Sequence, residues 1–206
     1  MLFCPGIPGA GKTILTSIVI DHLSTRFQND IDIGIAYVYF NYKQNVNKQN
    51  VENLLSSLLK QLSQERPPLL DSVKALYDQH RKKQTRPSIN DLSVALQSVA
   101  AVYSRVFIIV DALDECQASD GCRATFLTEI FSLQTKTRAN LFTTSRSIPE
   151  ITEMFKHSMS LEIRANGEDV RRYLEGHMSK LPTFVGRSSD LQEEIKTSVV
   201  EAVDGM

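Results

Sequence analysis

The stretch Gly6-Ile7-Pro8-Gly9-Ala10-Gly11-Lys12-Thr13 fits G-x-x-x-x-G-K-[ST] at every fixed position. A phosphate needs several converging donors, and backbone N–H groups curled at a helix N-terminus supply them densely. Gly9 and Gly11 permit that curl, because glycine takes positive φ without a Cβ clash. Pro8 stiffens the loop entry and donates nothing, so the expected donors are the amides of Gly9 through Thr13. Ala10 lies within that run, Ile14 directly after it, and Gly6 opens the motif; Gly6 and Pro8 through Ile14 are together the expected nucleotide-binding residues. Lys12 adds a charge for β- and γ-phosphates, and the Thr13 hydroxyl suits a Mg²⁺ ligand.

The flanks agree with this reading. Leu2-Phe3-Cys4 predicts the end of a buried strand before the loop. Ile14, Leu15, Ile18, Val19 and Leu23 recur at helical spacing over Thr13 to Arg26 after it. A second signal lies past midchain, where Arg105-Val106-Phe107-Ile108-Ile109-Val110-Asp111 is continuously apolar and β-branched up to its closing carboxylate. Asp111 is expected at the carboxyl edge of a parallel sheet, where an acid holds Mg²⁺. Asp114 and Glu115 follow, and either can orient or deprotonate an attacking water. Glu115 is favoured for its longer reach, and the alternative is that the pair caps a helix beginning near Asp120. A further strand, Ala139 to Thr144, leads into Ser145-Arg146. Arg146 can reach a γ-phosphate from there, with Thr144 or Ser145 bonding the water, unless Arg146 is a surface residue held by a nearby carboxylate.

The remaining elements follow from periodicity and caps. Ile33 to Phe40 reads as a strand, then Asn41 to Asn50 as a polar loop, and Val51 to Leu62 as a helix. Pro67-Pro68 separates it from a helix running toward Arg81, and Ser88 with Asp91 opens another. His80 to Arg86, the one basic cluster, reads as a solvated loop. Ser147 with Glu150 forms a capping box, Ser158 to Ile163 a fifth strand, and Asn166 caps a helix to about Leu181. Ser189 with Gln192 caps the last helix. Strands alternating with helices predict an α/β three-layer sandwich, a P-loop NTPase fold with a mainly parallel five-stranded sheet.

GIPGAGKT, IIVDALDE and LFTTSR together resemble the NACHT branch of the STAND signal-transduction ATPases, especially fungal NACHT and nephrocystin-like proteins. The small Ala112 before the Asp114-Glu115 pair is the specific part. The resemblance spans nearly the whole chain. It implies an ATP/ADP-controlled switch with Mg²⁺, slow hydrolysis, and homo-oligomerisation of the full-length protein on activation. In it the loop from Gly6 binds phosphates, Asp111 serves Mg²⁺, and Arg146 senses the γ-phosphate. It also places the strand ending at Arg146 between the Asp111 strand and the phosphate-loop strand. Such receptors continue into winged-helix and repeat segments; 1–206 is expected to be one domain cut at both ends, because a central strand begins at Met1 and Val203-Asp204-Gly205-Met206 stops in mid-pattern. An AAA+-like motor or remodeller, a small-molecule kinase and an interaction module with structural nucleotide are the competing readings.

Composition bounds the partners. The 206 residues, 42% apolar, suit one domain, and a net charge of −1 gives no footprint for nucleic acid or an anionic membrane. Cys4, Cys116 and Cys122 form neither a disulfide framework nor a metal set, and the cytosol is the default location. Asn47-Lys48-Gln49-Asn50 nearly fits a guanine-reading N-K-x-D pattern but ends in an amide, which leaves adenine preferred.

Overall fold

A computed structural model describes residues 1–41, 50–64, 71–116, 121–164 and 167–204. Five strands, β1 (Leu2–Pro5), β2 (Ile33–Tyr39), β3 (Arg105–Asp111), β4 (Asn140–Ser145) and β5 (Met159–Ser160), form one sheet in the order β2-β3-β4-β1-β5. Every pairing is parallel. All carboxyl ends therefore share one rim, and β4 lies between β1 and β3, as the resemblance implied.

Alternation along the strands builds two unequal faces. Ala36, Val38, Val106, Ile108, Val110, Leu141 and Phe3 join the main core. Helices α2 (Val51–Gln64), α4 (Ile89–Ala100) and α5 (Cys122–Thr137) cover it, with Leu55, Leu58, Leu62, Leu96 and Phe126 almost wholly buried. Ile33, Ile35 and Ile109 form the smaller opposite core with Ile20, Leu23 and Phe27, the latter from α1 (Lys12–Arg26) and its C-cap. Beside α1 that face is partly open, an apolar groove of about 360 Å³ between Leu2, Val19, Leu23 and Phe142.

The free edge of β2 is blocked by a side-chain amide acting as a mock strand. The Tyr37 N–H donates to Gln61 Oε1 at 3.0 Å, and Gln61 Nε2 donates to the Tyr37 carbonyl at 2.9 Å. An unpaired strand edge invites association, and this contact occupies it.

Several expected boundaries move. The Ser88–Asp91 capping box is present, opening α4. His80 to Lys83 form the last turn of α3 (Asp71–Lys83), where cations favour the helix dipole, and only the residues after them are loop. Ser147 caps nothing: α6 (Pro149–Met154) starts from Ile148, because Pro149 fills the first helical position and holds its predecessor extended. The fifth strand contracts to β5, with an isolated bridge from Gly6 to Ile163. The last helix, α9 (Ser189–Asp204), is capped one residue early, by Ser188 Oγ accepting from the Leu191 N–H. Pro67-Pro68, Asp120, Asn166 and most of the 41–50 loop, including Asn47 to Gln49, lie outside the described residues.

Beyond β5, α7 (Gly167–His177), α8 (Thr183–Gly186) and α9 pack mainly on one another. Lys196, 8% exposed, bridges Glu175 and Glu193 there. Among the described residues no helix is long and apolar enough to cross a membrane.

Candidate functional site

The rim gathers the ends of β1, β3 and β4. Gly9 and Gly11 have φ of +82° and +87°, and a Cβ at either would meet nothing within 4 Å. Glycine is therefore required by torsion, and the absent side chains leave the loop surface open to approach. Gly11 is the N-cap of α1 without a side-chain cap, and the first helical bond is Leu15 N–H to the Gly11 carbonyl at 2.9 Å. The amides of Lys12, Thr13 and Ile14 thus have no intrahelical acceptor. Of the expected donors Gly9 to Thr13, Ala10 is spent inside the loop on the Ile7 carbonyl at 3.3 Å.

Gly6 has a different task from the curl. Its N–H donates to the Ser145 carbonyl at 3.0 Å, and a Cβ would stand 2.5 Å from the Ile163 carbonyl oxygen. Its own carbonyl and that of Ile7 each accept from Lys12 Nζ at 2.8 Å. Burial lowers the Lys12 pKa, with Asp114 opposing the shift and Arg146 adding to it.

Asp111 is 2% exposed and accepts three hydroxyls. Thr13 Oγ1 donates to Oδ2 at 2.8 Å, while Thr16 Oγ1 and Thr144 Oγ1 donate to Oδ1, each at 2.7 Å. Thr13 and Asp111, 98 positions apart, thus meet directly. Thr16 was missed from sequence, where it reads as a polar interruption of an apolar helix. Nothing local marks its partner. Thr144 donates its one hydroxyl hydrogen to Asp111 and accepts the Ala112 N–H at 3.0 Å. Ser145 Oγ and Thr143 Oγ1 are buried with no hydrogen-bond partner among the described residues.

Ala112 adopts a left-handed conformation, φ +53°, turning the chain from β3 into the short 3₁₀ turn Leu113–Glu115. Asp114 accepts the Arg146 N–H at 2.9 Å on Oδ1 and pairs with Arg146 Nε at 3.0 Å through Oδ2. Arg146 is thus paired with a neighbouring carboxylate while its own side chain stays 53% exposed on the cleft. Pro8, Ile14 and Glu115 line the same open cleft, about 350 Å³, with Lys12, Asp114 and Arg146.

The residues suit a magnesium–phosphate group. Thr13 and Asp111 offer hydroxyl and carboxylate oxygens, the hard donors Mg²⁺ takes, while the unpaired helix-start amides and the Lys12 ammonium are donors suited to an anion. Among the described residues no cluster of three or more His, Cys, Asp or Glu could hold a metal unaided. Mg²⁺ commonly uses one or two protein ligands together with phosphate and water.

Comparison with known proteins agrees with this architecture. The family described as nephrocystin 3, N-terminal, matches residues 1–146, from β1 through Arg146. Among solved structures, Drosophila ORC bound to DNA is similar at 18% identity and TM-score 0.54, over 97% of this chain and 46% of that one. The Walker-type ATPase of Pyrococcus abyssi is similar at 10% identity and TM-score 0.51, over 97% and 57%. The chain spans about half the length of these structures, and at such identities the likeness is one of fold. No curated protein gives a match. The loop, the parallel sheet and the match through Arg146 lead to one conclusion: the chain belongs to the nephrocystin 3 N-terminal family and has a P-loop NTPase fold.

Proposed function

We propose that this chain binds ATP and ADP with Mg²⁺ at the rim of β1, β3 and β4, hydrolyses ATP slowly, and acts as the nucleotide switch of a STAND-type signalling receptor. The observation that carries this reading is the 2.8 Å contact between the Thr13 hydroxyl and the Asp111 carboxylate, which joins the phosphate loop to the acid strand. The amides after Gly11 and the Lys12 ammonium bind the phosphates, and Thr13 and Asp111 hold the cation. Bound Mg²⁺ would neutralise charge on the terminal phosphates. Glu115 is the favoured group to take the proton of an attacking water, and Arg146 contacts the γ-phosphate.

Slow turnover is preferred over an AAA+-like motor because Arg146 is the one arginine lining the cleft among the described residues, and it is already paired with Asp114. Oligomerisation under ATP and cytoplasmic location follow from the same reading. A partner role for nucleic acid is not part of it, given the net charge of −1. The test is steady-state phosphate release beside an assembly measurement with ATP and with ADP. A switch turns over far below the ordinary enzyme rate of about 10 s⁻¹ and changes assembly state with nucleotide. Turnover near that rate would favour the motor, and identical assembly with either nucleotide would sink the switch.

A further inference from the structure

We propose that Asp114 is the positioning residue of Arg146 and not the general base, so that the Asp114–Arg146 pair sets how the site tells ATP from ADP. The proposal rests on reading the cleft as a nucleotide site and deepens that reading. A base needs a carboxylate oxygen available to water, within hydrogen-bond reach of the proton it takes. Both oxygens of Asp114 are engaged by one residue: Oδ1 accepts the Arg146 backbone N–H at 2.9 Å, and Oδ2 lies 3.0 Å from Arg146 Nε, so a water reaching either oxygen competes with Arg146 for it. Its side chain is 6% exposed against 53% for Arg146, so the acid is the fixed partner and the guanidinium the reachable one.

The chain fixes that acid from behind. Ala112 holds its left-handed turn with its N–H on Thr144 Oγ1, and Leu113 is fully buried in the main core. The carboxylate is thereby set at the end of β4, where it takes up both the backbone and the side chain of one residue. Pairing through Nε leaves the outer fork of the guanidinium, the two Nη groups, as the donors that can address an oxyanion. A γ-phosphate is the part of the ligand that ATP has and ADP lacks. An anchor on Nε therefore acts on the ATP-to-ADP affinity ratio through Arg146, and its effect on that ratio vanishes once Arg146 is removed.

Calorimetric titrations with ADP and with a non-hydrolysable ATP analogue, both in excess Mg²⁺, test this on the whole chain. Asp114→Asn and Arg146→Ala should each lower the analogue-to-ADP affinity ratio by roughly fivefold or more, a usual size for coupling between interacting groups. The double variant should fall no further than Arg146→Ala alone, and Glu153→Gln, a charge change on an exposed side chain outside the cleft, should keep the wild-type ratio. Should Asp114→Asn fail to fold, Asp114→Glu keeps the charge but displaces it by a methylene, and it must also alter the ratio. A wild-type ratio in the folded Asp114 variant, or equal losses with and without Arg146, would overturn the assignment while leaving the nucleotide site intact. Failure of the unaltered protein to bind either nucleotide would remove both readings.

Discussion

Replacing Thr16 by valine removes one hydroxyl and changes the shape of the side chain little, which makes it a sharp probe of how Asp111 is held. The carboxylate is 2% exposed, so water cannot replace a lost donor. Thr16 supplies one of two hydroxyls on Oδ1, at 2.7 Å, and its single hydrogen also has the Lys12 carbonyl at 3.0 Å as a weaker option. A hydrogen bond to a charged group contributes about 1.5–3 kcal/mol, and the shared hydrogen favours the lower half of that span. In a chain of this size each kcal/mol lowers the melting temperature by about 2–4 °C, so Thr16→Val should melt roughly 3–9 °C below the unaltered protein. Urea denaturation followed by circular dichroism reads the same loss as a lower midpoint at unchanged slope. Thr16→Ser restores the hydroxyl and should recover most of the stability, losing only a methyl worth about 0.8 kcal/mol. A Thr16→Val midpoint within about 0.5 kcal/mol of the parent, the usual range of an inconsequential substitution, would refute the hydroxyl clamp.

Gly6→Ala should lower stability by about 1–3 kcal/mol, the usual cost of overpacking, because its Cβ would press on the Ile163 backbone oxygen at 2.5 Å; a denaturation midpoint equal to the parent's would contradict that contact. Burial raises the Cys4 thiol to about 11, so it stays a thiol in the folded chain after the unfolded chain has ionised near pH 9. The folded state then binds the extra proton, and this group's contribution is whole below pH 9 and declines as pH rises toward 11, at roughly 1.4 kcal/mol per pH unit. Iodoacetamide at pH 8 should leave Cys4 unmodified in native protein and alkylate it in urea, and rapid native labelling would place the thiol elsewhere.

The parts of the fold that could be read from sequence are those whose signals are local. The phosphate loop, the apolar run ending at Asp111, and the Ser88–Asp91 box each carry their reason within a few residues. What escaped reading depends on distant partners or on competition between neighbours. Thr16 acquires its role only because the ends of β1 and β3 share a rim, which no helical periodicity announces. Gly6 looks like part of the anion curl, yet the close passage of Ile163 explains it better. At Ser147 and Ser189 the capping pattern was present, but Pro149 moved one helix start and Ser188 took the other cap. Asp114 and Glu115 differ in the sequence only by reach, and the pairing of Asp114 with Arg146 depends on the end of β4 lying beside the 3₁₀ turn, which no local signal announces.

The most direct test of the whole account is calorimetric titration of Mg·ATP into the unaltered protein and into Lys12→Ala. Lys12 supplies the positive charge of the loop, and losing a charge-assisted contact worth about 1.5–3 kcal/mol should weaken binding roughly ten- to a hundredfold. Saturable binding by the parent with that loss in the variant is the expected result. Equal affinity in the two proteins would contradict the assignment of the loop as the phosphate site.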